Sequence, residues 1–122
     1  MRILITGSRE WIDKSTLNEA IGDEYIKSGL DHEDITLVHG TAPGADSMAA
    51  ELAEYFGFNI EAYPADWEKH GRRAGFVRNA EMVKLGADIC LAFIRNESKG
   101  ATMTADLAEK SGIPVRRYIS ND

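Results

Sequence analysis

The stretch Ile35-Thr36-Leu37-Val38-His39-Gly40-Thr41-Ala42-Pro43-Gly44-Ala45-Asp46-Ser47-Met48-Ala49-Ala50-Glu51-Leu52-Ala53-Glu54-Tyr55-Phe56-Gly57 contains a complete strand, loop and helix. Ile35–His39 is a short, β-branched apolar run of the kind buried on both faces in a parallel sheet. From Ala45 the period changes. Ala45, Met48, Ala49, Leu52, Ala53 and Phe56 fall on one helical face, and Gly57 stands where a left-handed residue ends a helix at least cost. A helix that follows a buried strand packs back over the sheet and returns the chain parallel to it.

The same unit repeats to either side. Apolar runs stand at Ile3–Thr6, Asn59–Tyr63, Ile89–Ile94 and Val115–Ile119. Leu17, Ile21 and Tyr25 form a helical stripe after Asp13 and Ser15, either of which could cap it, and Gly29 closes it. Phe76, Val77, Ala80 and Val83 form another, ending at Gly86. Ala105, Leu107 and Ala108 form the last, ending at Gly112 with Pro114 beyond. The order βαβαβαβαβ predicts an α/β chain of one domain, residues 1–122. Its architecture is a Rossmann-like three-layer fold with a five-stranded parallel sheet and helices on both faces.

With 43% hydrophobic and 28% charged residues in 122, the chain can bury one core. No apolar run approaches the ~20 residues that span a bilayer. The N-terminus opens directly on a strand instead of a signal region, so a cytoplasmic protein without membrane partners is expected. The single Cys90 lies inside Ile89-Cys90-Leu91-Ala92-Phe93, as a core thiol does, and leaves no internal disulfide. Three scattered histidines and one cysteine show no metal-ligand spacing, so neither a metal nor a cofactor is expected. The net charge of −6 argues against nucleic acid as a partner. Lys69, Arg72, Arg73 and Arg78 nevertheless crowd into ten positions, which suits a small anionic ligand.

In open α/β sheets ligands bind outside the carboxyl ends of the strands, and the unusual residues of this chain gather in those loops. After the first strand come Gly7, Ser8, Arg9 and Trp11. The glycine allows backbone approach, the serine offers a hydroxyl and the arginine a planar fork for phosphate. Trp11 either covers a base or packs over the loop. After the second strand, Gly40, Gly44 and Asp46 open a helix whose first amides suit an anion. Without the Lys-Ser/Thr pair of a P-loop, triphosphate hydrolysis of that type is excluded. Asp46 either stabilises the helix start or contacts a ribose hydroxyl. His39 reads as a structural histidine rather than a base. After the third strand, Asp66 and Trp67 supply a carboxylate and an aromatic face, and a Gly-bracketed basic loop leads to Arg78 and Asn79. Ser98, Gly100 and Thr102 precede the last helix and again suit an anion. Solvated basic side chains, with Arg78 paired to Glu81 or Asp66, are the structural alternative.

Taken in order, G7-S8-R9-x-W11, H39-G40-x-x-x-G44-A45-D46, A65-D66-W67-x-x-x-G71-x-x-A74-G75-x-x-R78-N79 and S98-x-G100-x-T102 resemble the YspA/cpYpsA-related SLOG family (DUF2493) over nearly the whole chain. The resemblance implies a Rossmann-like fold and the binding of nucleotides or nucleotide-derived signals. It also implies an actinobacterial or phage setting and a homodimer. The wider superfamily includes phosphoribohydrolases that split a nucleoside monophosphate through a P-G-G-x-G-T-x-x-E motif. Here Ala105 stands at the Glu position, and Asp106, one residue on, is turned away by about 100°.

The leading expectation is therefore a module that senses or sequesters a phosphate-bearing, nucleotide-derived ligand at the C-terminal rim of the sheet. The alternative is an N-glycoside hydrolase acting on a nucleoside monophosphate. It would use Asp66, Glu68 or Asp46 as its carboxylate, because an oxocarbenium-like transition state needs one near the anomeric carbon. A protein-interaction module is the second alternative.

Overall fold

The computed structural model describes residues 1–122. Five strands form one sheet: β1 (Arg2–Gly7), β2 (Thr36–His39), β3 (Asn59–Ala62), β4 (Ile89–Arg95) and β5 (Val115–Ser120). All neighbours pair in parallel, in the order β3-β2-β1-β4-β5. Between the strands lie α1 (Lys14–Ser28), α2 (Ala45–Phe56), α3 (Trp67–His70), α4 (Ala74–Leu85) and α5 (Lys99–Lys110). The five strands and the four longer helices stand where the periodicity predicts. The fifth, α3, is a single turn inside the stretch read as a basic loop. Asp66 nucleates it by accepting a hydrogen bond from the Lys69 amide, and Gly71 ends it.

The two faces of the sheet follow the alternation along each strand. Ile3, Ile5, Leu37, Leu91 and Phe93 point to one side, where α1 and α2 bring Leu17, Ile21, Ala49 and Leu52. Leu4, Val38 and Cys90 point to the other, against Met82 and Val83 of α4 and Ala108 of α5. Ala92 and Ile94 meet Ala101 and Ala105 on that same face. Helices change sides because the chain builds outward from β1 through β2 to β3, then crosses back to place β4 on the opposite flank of β1. With crossovers of one hand, reversing the direction of travel reverses the face covered. The helix caps keep these stripes in register. Asp13, the first of the two capping candidates, accepts from Thr16 N and from the Ser15 and Thr16 hydroxyls.

That crossing also creates a switch point between β1 and β4, whose outgoing loops lead to opposite faces and so leave a crevice between them. Ser8 spans it. Its hydroxyl accepts from the Arg95 amide at 2.8 Å, and its own amide donates to the Phe93 carbonyl at 2.8 Å.

Candidate functional site

A cavity of about 440 Å³ opens at this switch point, within the ~300–1,000 Å³ typical of small-molecule sites. Its floor is Thr6, Gly7 and Ser8 at the end of β1. Ala42 and Asp46 form one wall, α3 and α4 contribute Trp67, Arg78 and Asn79, Arg72 comes from the turn between those helices, and Asn96, Ser98 and Gly100 close the far side. Nine of the residues singled out from the sequence thus border one space: Gly7, Ser8, Arg9, Asp46, Trp67, Arg78, Asn79, Ser98 and Gly100.

The others stand apart, for identifiable reasons. Trp11 is only 3% exposed. It packs edge-on against Phe93 at 5.5 Å and spends its indole N–H on the Asp13 carbonyl, so it belongs to the core and offers no face to a base. Asp66 caps α3 and Glu68 lies on its exposed surface; neither borders the cavity. The Thr102 hydroxyl donates back to the Ser98 carbonyl at 2.7 Å. Gly40 and Gly44 shape the wall from behind. Gly44 has φ 78°, and a Cβ there would run into the Ser8 and Arg9 carbonyls. At Gly40 an added Cβ would lie 2.6 Å from the Arg78 guanidinium carbon, so glycine is what lets that side chain lie against the β2 turn.

Arg78 is the centre of the wall. It is 8% exposed, and its partners are not the carboxylates of Glu81 or Asp66 but backbone carbonyls. Nη1 donates to the Gly40 carbonyl and, at 3.3 Å, to that of Tyr63, joining the turns after β2 and β3; Nε donates to Asn79 Oδ1 at 2.7 Å. Nη2 makes no hydrogen bond within the chain and keeps solvent access. Burial pulls the guanidinium below its usual pKa, opposed by the charge of Asp46.

Asp46 sits in the first turn of α2 and is 5% exposed. Oδ2 accepts from the amides of Gly40 at 3.0 Å and Ala42 at 3.2 Å, while Oδ1 has no partner. Burial raises its pKa to about 6, against the opposing pull of those two amides and of the Arg78 and Arg9 charges. His39, also buried, accepts from the Thr41 amide through Nδ1, and burial with the Arg78 charge lowers its pKa. That is the structural role expected of it.

Two further features complete the electrostatics. Arg9 is exposed and lies over the Trp67 ring, 5.5 Å from its centroid, a cation–π contact. The Ser98 side chain makes no capping bond, so the first amides of α5 point free at the cavity edge formed by Ser98, Gly100 and Ala101. Altogether four guanidinium groups (Arg9, Arg72, Arg78, Arg95) and two carboxylates (Glu10, Asp46) border the space. No group of three or more His, Cys, Asp or Glu is placed to hold a metal ion.

Arg95 and Asn96 were not singled out as ligand contacts, although the loop that carries them was, and Arg72 was named only as one of four clustered basic residues. Arg95 is the last residue of β4 at the switch point, and its side chain donates to the Glu10 and Asp122 carbonyls. Asn96 and Glu97 both have positive φ, 52° and 58°, which places Asn96 at the rim. Neither amino acid advertises that conformation strongly enough to be read from sequence.

Comparison with known proteins identifies relatives of the chain. The family model described as the YspA, cpYpsA-related SLOG family matches residues 1–70, the half that carries β1 to β3 and the Asp46 wall. The chain is 46% identical over 122 residues to the Gene 61 protein of Mycobacterium phage D29, covering 96% of this chain and 95% of that one. No solved structure matches it. No helix is long and apolar enough to cross a membrane.

Proposed function

The chain belongs to the YspA, cpYpsA-related SLOG family, and from that premise we propose that it binds a small phosphate-bearing nucleotide or nucleotide derivative in the rim cavity, to sense or sequester it. The observation that carries this reading is Arg78. Three hydrogen bonds hold a buried guanidinium in place while Nη2 stays unbonded at a cavity that also meets the uncapped start of α5. A preoriented cation and free helix amides suit a phosphate and lose little freedom when one arrives. Trp67, half exposed beside Arg9, offers the flat apolar surface a base requires.

Mass spectrometry of small molecules released from natively purified protein, with calorimetric titration of AMP, GMP, CMP and UMP, tests the reading. A co-purifying nucleotide or saturable binding supports it. Absence of both up to millimolar concentration refutes it and favours a protein partner for the rim.

The hydrolase reading keeps one carboxylate, since of Asp46, Asp66 and Glu68 only Asp46 borders the cavity. Ala105, at the position of the superfamily's glutamate, is fully buried against Ala92 and Ile94. Asp106 is turned outward and paired with Arg117 at 3.0 Å. Binding without turnover is therefore the expected behaviour, and chromatography for free base after incubation with the same four nucleotides checks it.

A further inference from the structure

We propose that the cavity selects ribose-bearing ligands, with a sugar hydroxyl donating its hydrogen bond to Oδ1 of Asp46. The inference rests on the nucleotide-binding reading above and specifies what one wall of the site recognises.

A carboxylate in the first turn of a helix has an ordinary explanation in the helix dipole and the capping of nearby turns. For Asp46 that explanation accounts for Oδ2, which ties down the Gly40 and Ala42 amides. It does not account for Oδ1, which is the one buried side-chain nitrogen or oxygen of the molecule without a partner. A buried acceptor left unpaired is costly, and native proteins satisfy nearly all such groups. The two neighbouring cations do not satisfy it. Arg78 is committed to carbonyls and to Asn79, and Arg9 lies over Trp67 without a hydrogen bond to Asp46.

The missing donor must come from the cavity, and the surroundings restrict its chemistry. A phosphate oxygen is excluded at pH 7.5, where the carboxyl is ionised above its pKa of about 6, because it would face another acceptor. An ammonium group would have to approach within the field of Arg9 and Arg78, whose charges already reach Asp46. A neutral donor remains. In a nucleotide-like ligand that means a sugar hydroxyl or a base amino group. The base finds its surface on Trp67, which is 50% exposed, whereas Asp46 stands at the buried wall. The group left for the buried wall is the sugar. Because Oδ1 is sealed from solvent, the hydroxyl reaches it by displacing a neighbouring side chain. Arg9, exposed and without a hydrogen bond, has the most freedom to move.

The test compares AMP, GMP, CMP and UMP with their 2′-deoxy and 3′-deoxy counterparts by isothermal titration calorimetry. For the tightest ribonucleotide, removing one of the two hydroxyls is expected to weaken binding by about tenfold or more, the scale of a hydrogen bond to a charged acceptor. In Asp46→Asn the difference should shrink to roughly threefold or less, because an amide nitrogen at that position no longer accepts. Equal affinity for the ribo and both deoxy forms overturns the inference while nucleotide binding stands. Full discrimination retained in Asp46→Asn, with folding verified by circular dichroism, removes Asp46 from the role. Failure of every ribonucleotide to bind overturns the underlying reading as well. Should Asp46→Asn not fold, the analogue series on the unaltered chain decides alone.

Discussion

Replacing Asp46 by Asn removes a charge while keeping an oxygen able to accept from the Gly40 and Ala42 amides, which isolates what the buried charge costs the fold. Its pKa rises from 3.8 to about 6 on folding because burial disfavours the ion. A raised carboxyl pKa means the stability is complete below about pH 4 and falls as pH climbs through 6. At about 1.36 kcal/mol per pH unit the loss approaches 3 kcal/mol, and relaxation at a cavity wall brings the expectation to roughly 1–3 kcal/mol. Asp46→Asn should therefore match the parent near pH 4 and exceed it by that amount at pH 7.5. Urea denaturation of both proteins at several pH values measures the difference. The charges of Arg78 and Arg9 act on the group from α4 and from the β1 loop; both side chains remain in the two proteins, so the comparison isolates the carboxylate. An Asn variant no more stable than the parent at pH 7.5, or a difference independent of pH, would refute the claim that Asp46 is held against its solvation. A stability gain with weakened nucleotide binding is the trade expected where a site keeps a strained group for function.

Arg78→Ala should destabilise the fold by about 2–4 kcal/mol in denaturant titrations, because it strands the Gly40 and Tyr63 carbonyls and leaves a void. Arg9→Ala should leave stability within about 0.5 kcal/mol yet weaken an anionic nucleotide by roughly 1.5–3 kcal/mol in calorimetry, since this exposed side chain makes no hydrogen bond. Gly44→Val should cost at least about 2 kcal/mol through its positive φ and the clash with the Ser8 and Arg9 carbonyls, seen as a lowered Tm. Ala105→Glu, which restores the glutamate of the hydrolase motif alone, should lose about 3 kcal/mol or more by burying an unpaired carboxylate, and no free base should appear on incubation with nucleoside monophosphates.

Strands and helices were legible because each needs only local information. Continuous apolar runs such as Ile3–Thr6 and Ile89–Ile94 mark strands buried on both faces, and the four-residue spacing of Leu17, Ile21 and Tyr25 states which side of that helix meets the core. The loops that border the cavity were legible for a related reason. A parallel sheet sends every outgoing turn to one rim, so the segments that carry Gly7, Arg9, Asp46, Arg78 and Gly100 begin at the same end of the sheet, and the strand order then brings them together at the switch point. The single turn Trp67–His70 escaped because four residues are too few to show a period.

Roles within the rim depended on distances that no spacing contains. Trp11 and Trp67 both follow a strand, the first readable either as cover for a base or as loop packing and the second as an aromatic face; Phe93 draws the first into the core while the second stays half exposed. Arg78 read as a rim cation and proved to be a buried clamp with one free arm, because Gly40, 38 residues away, leaves the space it fills. The sequence by itself determined the layers, the rim and the cast of charged residues, since periodicity and topology follow from the order of apolar side chains. Only the tertiary structure decided which of Asp46's two oxygens is satisfied, since that depends on the turn after β2 folding back over the start of α2.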